Sequence, residues 1–142
     1  MSLPIRGLDH LVLRIRDEQA MLTFYLEVLG CVLEKRQDEL GLIQLRAGDA
    51  LIDLVPVDGP LGRRGGPPPH GGASQARDGH NLDHFCLRLA PFDETAIRRH
   101  LAAHGIEAGE TQRRFGAEGY GPSIYLQDPE GNTIELKGPP EE

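Results

Sequence analysis

The chain is poor in cysteine, in long apolar runs and in positive charge, and each shortage excludes something. Cys31 and Cys86 are the only cysteines among 142 residues. Two thiols make no disulfide framework and no CxxC zinc motif, so a reducing, cytoplasmic compartment is expected. No apolar run approaches the ~20 residues that cross a bilayer. No signal-peptide pattern precedes the first strand-like segment, and no membrane partner is expected. Lys and Arg total 15 against 22 Asp and Glu, a net charge of −7. That balance disfavours a phosphate backbone, so nucleic acid is excluded as a partner. The two signs are interspersed, as on a solvated surface. The length suits one domain, or two small modules sharing one core.

What the chain does have is a repeat. Residues 8–15 read LDHLVLRI and residues 82–89 read LDHFCLRL. Five of eight positions are identical, and the two histidines lie 84 − 10 = 74 residues apart. Each octapeptide alternates like a strand. His10, Val12 and Arg14 share one face; His84, Cys86 and Arg88 share the matching one.

The resemblance between the halves continues beyond the octapeptides. After the first, Asp17 caps a helix carrying Met21, Leu22, Tyr25, Leu26 and Leu29, which Gly30 ends. Strands follow at 31–37, 42–46 and 50–55. After the second, Asp93 is the expected N-cap of a helix carrying Ile97, Leu101 and Ala102, which Gly105 stops. Residues 106–115 should hold a strand with an irregular end. Strands at 123–127 and 133–137 flank the turn Asp128-Pro129-Glu130-Gly131-Asn132. The pattern is α+β: two βαβββ modules, 7–57 and 81–138. Their last hairpins align, so Asp53 falls where Glu135 falls. Each module thus offers one histidine and one carboxylate. Between them, 58–80 is rich in Gly and Pro, with no regular element expected; it reads as a linker or a lid.

Paired βαβββ units, the repeated x-D-H strand and DPEGNTIEL near the C-terminus resemble the vicinal oxygen chelate superfamily. That family includes glyoxalase I, extradiol dioxygenases and bleomycin-resistance proteins. The resemblance covers roughly residues 7–137, and RFGAEGYGPSIYLQDPEGN is similar to its small glyoxalase-like members. It implies an eight-stranded mixed sheet curved into a cup-shaped barrel with helices outside, forming one domain overall. It also implies a divalent metal ion in the cup. On the family pattern His10, His84 and Glu135 match ligand positions. The fourth, glutamate in glyoxalase I, is Asp53 here. Aspartate is one methylene shorter and reaches an ion directly only with a small strand shift, or through water. Some members use only two histidines and the C-terminal glutamate, so both ligand sets stay open.

Two imidazoles with one or two carboxylates suit Zn, Ni, Co, Mn or Fe(II). Open coordination positions would let a substrate chelate through two neighbouring oxygens, with Glu135 or Asp53 moving the proton. The resemblance therefore implies a metal-dependent lyase or isomerase like lactoylglutathione lyase, acting on a small molecule such as a 2-oxoaldehyde–thiol adduct. The alternatives are an Fe(II) ring-cleaving dioxygenase and a metal-free small-molecule binder of the bleomycin-resistance kind. A homodimer is expected, because small relatives often exchange modules.

The remaining polar residues are read more plainly. Asp9 and Asp83 are expected to face away from their histidines and to pair with arginine or cap backbone. Cys86 is read as a pocket-wall residue, and His100 and His104 as a solvated helix face. His70 and His80 are expected to be exposed. Arg63, Arg64, Arg77, Arg113 and Arg114 stand in Gly-rich segments. Arg114 is the candidate clamp for a substrate anion, with Phe115 and Tyr120 as candidate packing surfaces.

Overall fold

The computed structural model describes residues 2–64 and 81–141. The chain divides into two compact units, residues 1–76 and 77–142. Among the described residues eight strands fall into two four-stranded sheets, one in each unit.

In the first unit β1 (His10–Ile15) leads to α1 (Glu18–Thr23), then to β2 (Val32–Gln37), β3 (Leu42–Ala47) and β4 (Ala50–Pro56). The sheet order is β1-β4-β3-β2. β1 and β4 run parallel, and the other neighbours are antiparallel. The Asp17 side chain accepts from the Ala20 amide at 3.0 Å, capping α1 as its sequence predicts. The helix does not continue as an α-helix to Gly30. Residues Phe24–Val28 widen into a π-helical turn. Met21, Phe24, Tyr25 and Val28 are buried, while Leu22, Leu26 and Leu29 are half-buried. Leu13 and Ile15 of β1 join that core with Ile52 and Leu54 of β4. His10, Val12 and Arg14, one residue out of phase, lie on the other face and are exposed.

One expectation for 58–80 is overturned at its start. Pro60–Arg63 form a single helical turn, α2, with Pro in its first turn. Arg14 donates to the Gly62 carbonyl from Nε at 3.1 Å and from Nη2 at 2.8 Å. That fork fastens the turn to the sheet. A Cβ on Gly62 would collide with the Pro56 carbonyl. The rest of the segment, with His70, Arg77 and His80, lies outside the described residues.

The second unit repeats the plan with β5 (Phe85–Arg88), α3 (Glu94–Ala103), β6 (Gln112–Gly116), β7 (Gly119–Gln127) and β8 (Thr133–Lys137). Its order, β5-β8-β7-β6, is that of the first unit. Asp93 caps α3 through the Ala96 amide at 3.1 Å. This helix buries little: Leu101 is inside, Ile97 half-buried, and Ala102 is exposed rather than packed as expected. The irregular stretch before β6 contributes an isolated bridge, Ala108 to Leu126. The 128–132 turn is built by Asp128, whose carboxylate accepts from the amides of Glu130 (2.8 Å) and Asn132 (3.0 Å). Ile124, Leu126, Ile134 and Leu136 form the buried face of the β7–β8 pair.

Candidate metal centre

Pairing register carries the repeat into three dimensions. In the first unit Asp53 lies opposite Val12 on one side and Gln44 on the other. In the second, Glu135 lies opposite Cys86 and Tyr125. His10 and His84 each sit two residues before Val12 and Cys86, on the carboxylate's face. The structure therefore brings His10 to Asp53 and His84 to Glu135.

In the first unit Asp53 is buried. Its Oδ2 is 3.4 Å from the Gln44 amide nitrogen, a long contact, and its Oδ1 has no hydrogen-bond partner. Burial raises the Asp53 pKa, opposed by the Gln44 amide and the charge of His10. His10 is raised chiefly by its hydrogen bond to Asp9, with the charge of Asp53 adding to it against desolvation.

In the second unit the carboxylate is held at both oxygens. Ser123 Oγ donates to Glu135 Oε2 at 2.8 Å, and His84 Nε2 is 3.2 Å from Oε1. Arg114 donates from Nη1 to Ser123 Oγ at 2.9 Å and to the Ser123 carbonyl at 3.0 Å. Its guanidinium carbon lies 4.3 Å from the centre of the Tyr125 ring, which meets His84 edge-on at 5.2 Å. Lys137, two residues beyond Glu135 on the same face, is buried and donates to the Gly119 carbonyl at 2.8 Å.

Asp9 and Asp83 correct their sequence reading. His10 Nδ1 contacts Asp9 Oδ2 at 2.7 Å, and His84 Nδ1 contacts Asp83 Oδ2 at 2.6 Å. Both aspartates precede the first residue of their strand, where strand alternation does not govern side-chain direction. Their carboxylates are almost fully exposed. With a proton on Nδ1 engaged this way, each imidazole keeps Nε2 for another partner.

The other candidates separate by face. Phe115 and Tyr120 pack edge-to-face at 5.1 Å, and Arg113 covers Tyr120 at 4.0 Å. By strand alternation this cluster is on the face opposite Arg114, Ser123 and Glu135. Arg114 is thus brought to the carboxylate, and Phe115 and Tyr120 are not. Cys86 is pushed up to about 11 by desolvation first and by Glu135 second, which makes it a poor nucleophile. The His100 and His104 rings lie 4.8 Å apart on the exposed side of α3. Sequence reasoning missed Ser123, Gln44, Tyr125 and Lys137. Alternation could have found all four, since each falls on a carboxylate's face.

The donor chemistry fits a divalent ion. Asp53 Oδ1 is a buried carboxylate oxygen without a partner, and such an atom is costly unless something positive meets it. The 3.2 Å between His84 Nε2 and Glu135 Oε1 is also the spacing of two donors held at about 2.1 Å from one ion, at an angle between a right angle and the tetrahedral value. Among the described residues no three His, Cys, Asp or Glu side chains are gathered closely enough to hold an ion. The donors stand as two pairs, one in each unit.

Known proteins share this architecture. The chain is 30% identical over 133 residues to the virulence protein STM3117 of Salmonella typhimurium, covering 93% of this chain and 83% of that one. The crystal structure of STM3117 superposes with a TM-score of 0.72 at 27% identity, over 96% of this chain and 99% of that one. An integron cassette protein of V. cholerae, VCH_CASS1, gives 0.72 at 25% identity over 97% and 98% of the two chains. A lactoylglutathione lyase of Agrobacterium tumefaciens gives 0.68 at 22% identity over 96% of each, a likeness of fold. Residues 7–136 match the model of one family, and the chain belongs to it: the glyoxalase/bleomycin resistance protein/dioxygenase superfamily.

Proposed function

We propose that this protein is a metal-dependent lyase or isomerase of glyoxalase type. Its substrate is a small molecule that chelates through two neighbouring oxygens, such as a 2-oxoaldehyde–thiol adduct. Members of the superfamily commonly bind a divalent metal and small molecules. The observation that carries the reading is the repeated pair, His10 with Asp53 and His84 with Glu135, in matching register, with Asp53 Oδ1 buried and unpartnered.

His10, His84 and Glu135 hold the ion, with Asp53 as a fourth, looser donor. When bound, the ion supplies Lewis-acid polarisation of a chelated carbonyl. Asp53 has the properties of the base. It is short, weakly held and raised from its ordinary value by burial. It takes the proton from the carbon beside the carbonyl and returns it to the neighbouring carbon, so no other reagent is consumed. Arg114, beside Glu135, orients an anionic group of the substrate through its remaining N–H groups. We further propose a cytoplasmic homodimer whose metal centre combines a first module with a second.

Metal analysis followed by an assay with the methylglyoxal–thiol hemithioacetal tests this reading. About one divalent ion per chain and solvent deuterium at the carbon next to the carbonyl are expected. Asp53→Asn should lower kcat far more than it lowers metal content. Unchanged proton exchange in metal-loaded Asp53→Asn and Glu135→Gln would end the lyase reading. One feature favours a second reading: with Asp53 loosely held, two histidines and Glu135 make the donor set of non-haem Fe(II) oxygenases. Oxygen uptake with a catechol would establish it.

A further inference from the structure

The two carboxylates differ in what stands behind them. Glu135 is backed by a chain of donors that runs through buried Ser123 to a half-buried guanidinium, and Asp53 by one long amide contact. Arginine only donates, so Arg114 Nη1 fixes Ser123 Oγ as an acceptor at 2.9 Å. The Ser123 hydroxyl proton is then directed to Glu135 Oε2, 2.8 Å away. Ser123 has no exposed surface and Glu135 is 6% exposed, so water cannot take over either role. Oε2 is thereby occupied, and Oε1 is the oxygen turned to His84 Nε2.

The path exists because of two details of the second sheet. Arg114 pairs with Gly121, two residues before Ser123 on β7, and its guanidinium runs along β7 to Ser123 and Tyr125. Ser123 lies two residues before Tyr125, the partner of Glu135. In the first sheet the residue two before Gln44, the partner of Asp53, is Leu42. Leucine offers no hydroxyl, so no such path forms.

We propose that Ser123 and Arg114 are positioning residues that fix Glu135 as the permanent carboxylate ligand, with Oε1 presented alongside His84 Nε2, and so leave Asp53 as the mobile carboxylate. This rests on the metal-centre reading above. Outer partners of a ligating carboxylate typically change metal affinity by about 10- to 100-fold.

The test is Co(II) titration of the full chain, read by calorimetry and by the visible d–d spectrum, with melting followed by circular dichroism. Ser123→Ala should lower Co(II) affinity by about 10- to 100-fold and alter the spectrum while the protein remains folded. Arg114→Met, which keeps the apolar stem, should shift both in the same direction. Ser123→Thr, which restores the hydroxyl, should recover the wild-type spectrum. A purely structural serine would lower the melting temperature and leave affinity and spectrum alone. That result, with Co(II) binding intact in the wild type, overturns this inference while the metal centre stands. Wild-type protein that takes up no Co(II) overturns both.

Discussion

In the first module the carboxylate Asp53 is buried with one oxygen unpartnered and the other 3.4 Å from Gln44. In the second, Glu135 is held at 2.8 Å by Ser123 and at 3.2 Å by His84. Both modules share strand order, register and the histidine–carboxylate pair. Duplication of a βαβββ unit fixes where a donor stands, because register fixes which residues share a face. It does not fix how firmly the donor is held. That is decided one strand away, by Leu42 and Gln44 in β3 and by Ser123 and Tyr125 in β7.

The largest effect should come from removing the elements the modules share. His10→Ala and His84→Ala should each lower Co(II) affinity by more than about 100-fold, beyond the range of outer partners. The double variant should take up none in calorimetry. Full binding by that double variant would remove the site from both modules at once.

The next effect separates the modules by sign. Asp53→Asn and Glu135→Gln make the same change, a carboxylate to an isosteric amide. In metal-free protein at neutral pH, Asp53→Asn should stabilise by about 1 kcal/mol, because it removes a buried charge with one oxygen unpartnered and the other held by a single long contact. Glu135→Gln should destabilise by about 1–3 kcal/mol, because charge-assisted bonds from Ser123 and His84 are lost. Urea unfolding measures both, and two shifts of the same sign would refute the contrast. Asp53 also gives a pH signature. Its folded pKa is raised by burial, so its stabilising contribution is present below the ordinary carboxylate range. That contribution is lost as pH rises through the raised folded value. Wild-type metal-free protein should show this fall, and Asp53→Asn should not.

The sheets and the histidine–carboxylate repeat were legible because they rest on period and on repetition. His10, Asp53, His84 and Glu135 come from aligning LDHLVLRI with LDHFCLRL and the two hairpins. Alternation also placed Leu13 and Ile15 in the core. What escaped depends on the register within hairpins, on local backbone geometry and on contacts that period and composition do not report. Nothing near Ser123 announces that Arg114 will reach it across Gly121. The π-helical turn at Phe24–Val28 has the same apolar spacing as an α-helix, so periodicity hid it. Phe115 and Tyr120 looked like neighbours of Arg114 because they are close in sequence; the β6–β7 hairpin turns them to the opposite face. The helical turn at Pro60–Arg63 was masked by Gly and Pro composition and is held by Arg14, far away in the chain.

The smallest expected effect sits at the outer edge of the first module, where Asp9 meets His10. Nδ1 of His10 is 2.7 Å from Asp9 Oδ2, and this bond is the main reason the imidazole is raised above its ordinary value of 6.5. The Asp9 carboxylate is 90% exposed, so water and salt screen the pair. The sign follows from linkage. A histidine raised in the folded state contributes stability that is fully present below 6.5 and is lost as pH rises through its folded value. Asp9→Asn removes the charge and leaves the side-chain length unchanged. The His10 ring proton titration, followed by NMR in metal-free protein, should therefore move down toward the ordinary histidine value. It should reach that value or pass below it, because desolvation of the ring outweighs the remaining charge of Asp53. Adding Asp53→Asn should lower it further, and raised salt should diminish the Asp9 part more than the part from buried Asp53. A His10 midpoint indifferent to Asp9→Asn would show that the exposed pair does not persist in solution. The first-module histidine would then be oriented by Asp53 alone.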